Sequence, residues 1–380
     1  PGFLRLEGLS PVVANSTANR RGEIYTMRSR QRAVVALIGT LLLAGAGFPS
    51  ASAQPPRYID LDKVPEPKIT GAEIIAGLED FVERFPMRQQ GMPNNIAASE
   101  FLAEEAKGYG FETRILEYEV EGVDSVYGPV RVVEAVKRGT KYPDEWIALV
   151  AHYDIVPGAP QVTIQGAYDD GSGTNMLRFF AKAFSKLKMK RSIAILWFDG
   201  EENGRLGSQA YAAEMHEQGQ KFAAVFGFDM VGIGYPAPYC MCVYHGRVPT
   251  DAPVALPVID YVNFDFLEFP EGDGGTGVEQ TWPLGTEPHV CSCGPNPRNS
   301  DEQSFGAEGY FSMRWTGMKD AADYPGYHQP WDTVPLMELV AGDRETLEAG
   351  SENVFVSAYY TTFVIDNLPY SAIYPSPPAG

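Results

Sequence analysis

The sequence predicts an α/β fold: an α/β/α sandwich around a central mixed, largely parallel sheet, in a single domain. Three observations predict it. Apolar runs at 146–151 (WIALVA), 193–198 (IAILWF) and 223–228 (AAVFGF) lack polar alternation, as central strands covered on both faces do. Helical stretches at 174–187 and about 208–218 separate them, and strand, helix, strand, helix, strand reads as βαβ units with parallel neighbours. A histidine or a carboxylate follows each run directly.

Composition sets the outer limits. The chain has 380 residues, 44% hydrophobic and 21% charged, which is globular and not disordered. Lys plus Arg total 30 against 49 Asp plus Glu, a net charge of -19, which argues against a basic surface for a phosphate backbone and so against nucleic-acid binding.

Taken in order, residues 1–26 precede Met27 and carry no predicted fold. From Met27, Arg28, Arg30 and Arg32 lead into an apolar stretch at 33–48 and then Ala51-Ser52-Ala53, the layout of a signal peptide over 27–53. The apolar stretch is about sixteen residues, short of the roughly twenty that span a bilayer. Cleavage after Ala53 makes the protein secreted or periplasmic with no stable membrane span; the alternative is a retained anchor.

The domain over 54–380 opens with Ile74, Ile75, Leu78, Phe81, Val82 and Phe85 at helical spacing, with Thr70 near the start. A second helix covers about 96–107, entered by Asn94 and Asn95 and stopped by Gly108; β-rich runs follow at 113–120 and 130–137. After the three buried strands, 234–298 is Pro- and Gly-rich and reads as a loop-rich insertion. A long helix over about 336–364 and a Pro-rich tail end the chain. Cys240, Cys242, Cys291 and Cys293 form two CxC pairs in the insertion. An even count in an exported chain favours disulfides between the pairs, and a four-thiolate zinc site is the alternative.

The strand ends carry the chemistry. His152-Tyr153-Asp154 follows the first buried strand, Asp199-Gly200-Glu201-Glu202 the second and Asp229 the third; Asp169-Asp170 sits just ahead of a helix in GAYDDGSG. Open parallel sheets bind ligands outside the carboxyl ends of their strands, so these groups converge on one rim. One histidine and up to seven carboxylates there repel one another unless a cation lies among them. Imidazole mixed with carboxylate suits zinc, and more donors than one tetrahedral ion needs point to a pair of ions about 3.5–4 Å apart. His216, His245 and His289 read as structural. The glycines at 171–173 and 274–277 lack the lysine of a phosphate loop.

The strings VAHYD, GAYDDGSG, LWFDGEENGRLGSQAY and GFDMVG, in this order, resemble peptidase family M28, the co-catalytic zinc exopeptidases typified by secreted bacterial aminopeptidases. Asn299-Ser300-Asp301 is similar to the family's serine-aspartate segment, and Tyr327 to Thr333 (YHQPWDT) to its last histidine segment. The lead with Arg88 in FPMRQQG also fits. The resemblance implies a zinc-exopeptidase, phosphorylase/hydrolase-like sandwich and two Zn2+ per chain. Asp169 would bridge them, His152 and Asp229 would complete one site, and Glu202 with His328 the other. It also implies that Glu201 is the general base for a metal-bridging hydroxide, that Asp154 orients His152, and that the Asp169–Asp170 peptide is cis. Two departures stand out. Pro297-Arg298-Asn299 replaces the tyrosine that many relatives use to stabilise an oxyanion, and Glu302 follows Asp301 where relatives often carry histidine. The implied activity is release of N-terminal residues from peptides with a free N-terminus. Alternatives are a carboxypeptidase, for which Arg298 and Arg314 are candidate carboxylate partners, a glutaminyl cyclase, or a non-catalytic binding protein.

Overall fold

In chain order, helices α1 (Gly71–Arg84) and α2 (Pro93–Gly108) precede strands β1 (Glu112–Tyr118), β2 (Val130–Lys137) and β3 (Tyr142–His152). Helix α3 (Ser172–Phe184), β4 (Arg191–Phe198), α4 (Leu206–Glu217) and β5 (Lys221–Phe228) make the central βαβ units. Then come β6 (Met241–His245), α5 (Ala252–Asp260), β7 (Val290–Pro295), α6 (Asp301–Ala307), β8 (Ser312–Thr316), α7 (Val334–Ala341) and α8 (Arg344–Asn367). This computed structural model describes residues 58–120, 128–157, 163–234, 241–246, 252–269, 290–295, 300–317 and 321–374. The expected leader (1–26) and signal peptide (27–53), Cys240, the 274–277 glycines, His289, Pro297-Arg298-Asn299 and the final Pro-rich residues lie outside the described residues.

The eight strands form one sheet in the order β1-β2-β4-β3-β5-β8-β6-β7. The centre is parallel, β4 with β3, β3 with β5 and β5 with β8. Antiparallel pairs attach β1 and β2 on one side and β6 on the other. The sheet is therefore mixed with a parallel centre, as predicted.

Alternate residues of the central strands feed two cores. On one face Ile147, Leu149, Ala151, Ile193, Ile195 and Trp197 pack with residues of α1, α3 and α8. On the other, Ala148, Val150, Ala194, Leu196 and Val225 meet Tyr211, Ala212 and Met215 of α4 and Phe305 of α6. Covering both faces explains the unbroken apolar runs. Helix α1 starts at a reciprocal capping box, Thr70 with Glu73, which satisfies two otherwise orphaned amide donors.

The structure corrects two expectations. The helix predicted over about 336–364 is two helices. Gly342 breaks it at φ 111, a backbone state that favours glycine, and Asp343 starts α8 by accepting from Thr346 N–H at 2.8 Å. The apolar pattern runs through this break because both helices bury residues on the same core, so periodicity alone did not reveal it. The second correction concerns 234–298. Its described parts are not merely loops, since β6 and β7 extend the sheet. These strands are short and cysteine-bearing, and they lack the β-branched run that marked the others. Cys242 and Cys293 are disulfide-bonded with Cα atoms 5.4 Å apart, and Cys291 is also in a disulfide. The disulfide expectation therefore holds for these three residues, and the four-thiolate alternative fails. No helix among the described residues is long and apolar enough to cross a membrane.

Candidate metal centre

The parallel strands deliver their polar ends to one place. His152 is the last residue of β3, Glu201 and Glu202 lie in the turn after β4, and Asp229 follows β5. Asp169 sits in a short helical turn, Ala167–Gly171, ahead of α3, and its peptide bond to Asp170 is cis. His328 comes from the segment between β8 and α7 and holds a left-handed backbone, φ 56.

Asp169 divides its two oxygens between two imidazoles. Its Oδ1 is 3.5 Å from His152 Nε2, and its Oδ2 is 3.3 Å from His328 Nε2. Glu202 Oε2 is 3.1 Å from the same His328 nitrogen. Two donor groups result, His152–Asp169–Asp229 and Asp169–Glu202–His328, each with donor atoms within 4.8 Å of one another. All five residues singled out as ligands are brought together, and Asp169 is common to both groups.

Glu201 belongs to neither group. Its backbone N–H donates to Asp154 Oδ1 at 3.2 Å, and that of Glu202 donates to Asp154 Oδ2 at 3.3 Å. The Asp154 Oδ1 atom is also 3.3 Å from His152 Nδ1, inside ion-pair range although off the hydrogen-bond line. Asp154 thus links the β3 end to the β4 turn. The other predicted rim carboxylates point elsewhere. Asp199 accepts from Asn95 Nδ2 at 2.8 Å and Arg131 N–H at 3.2 Å. Asp170 accepts from Gly173 N–H at 2.8 Å and Met230 N–H at 3.2 Å.

Crowding of acids in a buried place shifts their proton affinities. Burial pushes Glu202 up to about 7, with Asp169 adding to it. Glu201 is also raised by burial, and Asp301, Asp229 and Glu202 raise it further against the opposing His152. For Asp169 burial acts upward, but the hydrogen bonds with His152 and His328 outweigh it and hold the carboxyl below its usual range. His328 shows the converse: burial opposes its charge, yet Asp169 and Glu202 push it up to about 10.

Several supporting residues carried no role in the sequence reading. Asp332 accepts from Tyr168 N–H and Asp169 N–H, each at 3.0 Å, and from Tyr324 Oη at 3.2 Å. It therefore fixes the backbone that presents Asp169. Arg88 is fully buried and donates to the carbonyls of Gln165 and Gly166, the latter at 2.7 Å, just ahead of the same turn. Tyr327 stacks on the His328 ring with centroids 3.7 Å apart. In the sequence Arg88 and Asp332 stood only as members of the FPMRQQG and YHQPWDT segments that carry the family resemblance. Arg314, considered as a partner for a substrate carboxylate, instead has Nη1 3.5 Å from Asp229 Oδ2. His216 is exposed, and His245 is buried with Nδ1 2.9 Å from Gly246 O; neither enters a donor group among the described residues.

Residues 131–260 match the sequence model described as peptidase family M28. The match covers about a third of the chain. It spans β2 to the end of α5 and includes four of the five donors. Aminopeptidase YwaD of Bacillus subtilis is 35% identical over 99 residues, 26% of this chain and 20% of the relative. A probable leucine aminopeptidase 2 of Aspergillus oryzae is 31% identical over 217 residues, 53% of this chain and 40% of the relative. The chain thus spans less than half the length of these relatives. Among solved structures, the Legionella pneumophila LapA aminopeptidase superposes with a TM-score of 0.57 at 21% identity, covering 79% of this chain and 72% of that one. A Bacteroides thetaiotaomicron glutaminyl cyclase gives 0.58 at 18% identity, covering 80% and 99%. At such identities the likeness to these structures is one of fold.

Proposed function

We propose that the chain is a secreted, co-catalytic di-zinc aminopeptidase that hydrolyses the N-terminal residue from peptides. The observation that carries this reading is the division of Asp169 between the two imidazoles, with Glu202 and Asp229 completing the two groups. The names of the M28 relatives as aminopeptidases agree with it. The residues fit zinc by their chemistry. Each group offers one imidazole and two carboxylates, and Glu202 Oε1 is buried without a hydrogen-bond partner, a cost that a cation relieves.

His152, Asp169 and Asp229 would hold one ion, and Asp169, Glu202 and His328 the other. Bound zinc supplies Lewis acidity that polarises the scissile carbonyl and acidifies the attacking water. Glu201 takes the proton of that water and hands it to the leaving amine, a role suited to a buried carboxylate whose proton affinity is raised. Asp154 holds the His152 tautomer, as carboxylate partners of zinc-bound histidines do. Through two amide bonds it also fixes Glu201 and Glu202 against the β3 end. The acidic surroundings favour a substrate ammonium over a carboxylate. The Arg314 contact with Asp229 removes one of the two candidate partners of the carboxypeptidase reading. Export rests on the 27–53 segment.

The test is a panel of aminoacyl and N-blocked substrates, assayed with and without a chelator, together with zinc content per chain. Free-amine substrates cleaved only by the metal-loaded protein with two zinc ions are expected. Equal cleavage of blocked substrates overturns the aminopeptidase reading. One zinc per chain with cyclisation of N-terminal glutamine supports a glutaminyl cyclase instead.

A further inference from the structure

The two donor groups have the same composition, one imidazole and two carboxylates with Asp169 in common. A difference between them must therefore arise from what touches the donors. Among the described residues, an arginine or lysine lies within ion-pair distance of a donor in one group alone, where Arg314 Nη1 stands 3.5 Å from Asp229 Oδ2. Arg314 occupies the middle of β8, paired with Gly227 of β5 and Tyr244 of β6. Its side chain is 5% exposed, and its Nε is buried without a hydrogen-bond partner. Glu302 of α6 packs over the same Gly227. A Cβ there would meet Glu302 Oε2 at 2.6 Å, so this glycine makes room for the carboxylate. Charges thus alternate outward from the donor group: Asp229, Arg314, then Glu302, which is electrostatically coupled to Arg314.

We propose that Arg314 is a positioning residue that holds Asp229 and weakens the grip of the His152–Asp169–Asp229 group on its ion, making that ion the exchangeable one. The inference rests on the di-zinc reading. A guanidinium on the outer oxygen draws charge from the ligand and sets a cation near a divalent ion where little water screens the repulsion. Arginine stays charged at all working pH values, so the effect is permanent. Glu302 offsets part of it.

The test titrates the metal-free full-length chain with Zn2+ against a chromophoric chelator to obtain two dissociation constants. Asp229→Asn identifies which constant belongs to this group. Arg314→Met is expected to tighten that constant about tenfold, the low end of what partners of metal ligands move, and to leave the other unchanged. Arg314→Lys should stay near wild type, and Glu302→Gln should loosen the same constant. A merely structural role predicts weaker binding in both Arg314→Met and Glu302→Gln, and that result overturns the proposal, as does no change in either. Should Arg314→Met fail to fold by circular dichroism, Arg314→Gln replaces it with the same expectation, and a constant that does not tighten refutes the proposal. Uptake of fewer than two zinc ions by the wild type refutes the di-zinc reading itself, a separate result.

Discussion

Replacing Glu201 with glutamine keeps the side-chain shape and removes the proton acceptor. Glu201 lies in neither donor group, so zinc content should remain at two per chain. Its bond to Asp154 is made by the backbone N–H at 3.2 Å and survives the substitution, so the turn carrying Glu202 stays in place. What is lost is general acid–base catalysis, worth about 10²–10⁴ in rate, or about 2.7–5.4 kcal/mol at 1.36 kcal/mol per factor of ten. The loss falls on kcat with KM little changed, because the carboxylate acts on the transferring proton. Stability of the metal-free protein should move the other way. Burial, Asp301, Asp229 and Glu202 all disfavour a charge on Glu201, so a neutral amide removes repulsion and raises Tm. The assay combines kcat and KM on an aminoacyl anilide, elemental analysis and thermal melting. An unchanged kcat with two zinc ions bound refutes the base assignment. Loss of zinc together with activity makes Glu201 a ligand instead.

Asp169→Asn should empty both metal positions, because that carboxylate serves both groups, whereas Asp229→Asn should empty one; zinc per chain separates the two variants. In the metal-free protein, burial pushes Glu202, Asp301 and Asp332 up to about 7. The folded chain then binds more protons than the unfolded one between about pH 4 and 7, and stability falls as pH rises through that window. The urea midpoint should therefore be lower at about pH 8 than at about pH 5, and zinc should raise stability by about 2.7 kcal/mol for each occupied site at a hundredfold excess over its Kd. A midpoint that rises with pH contradicts the acid-crowding account. Gly342→Ala meets no atom within 4 Å and is opposed by its backbone angle alone, so it should cost about 1–3 kcal/mol, read as a lower Tm with unchanged zinc content.

The central strands and the strand-end groups were legible in the sequence for one reason, whereas Asp169 and His328 entered the ligand set through the family resemblance. Strands buried on both faces are apolar throughout, and the first polar residue after each is where the sheet meets solvent. His152, Glu201, Glu202 and Asp229 all stand at such junctions. Asp199 stands at one too, and there the rule failed: Asn95 and the Arg131 amide take its oxygens, and no local pattern announces a partner about a hundred residues away in sequence. Asp332 and Arg88 were illegible for the same reason, since they act on backbone atoms of the turn before α3. The split between α7 and α8 needed a backbone angle, and β6 with β7 needed partner strands, neither of which periodicity supplies.

Among the described residues, the bond between Cys242 and Cys293 joins the outermost strand to its only neighbour in the sheet. Thiols are kept reduced in the cytosol, so a chain made there would hold β7 by its backbone ladder and the burial of Val290, without the covalent tie. Should that strand detach, β6 would present unpaired amides and carbonyls, a template for a strand of another molecule. His152, Glu202 and Asp229 follow β3, β4 and β5, well inside the sheet, and would be untouched. Reductant in a purification buffer would then change the elution volume of the protein while leaving its zinc content as it was.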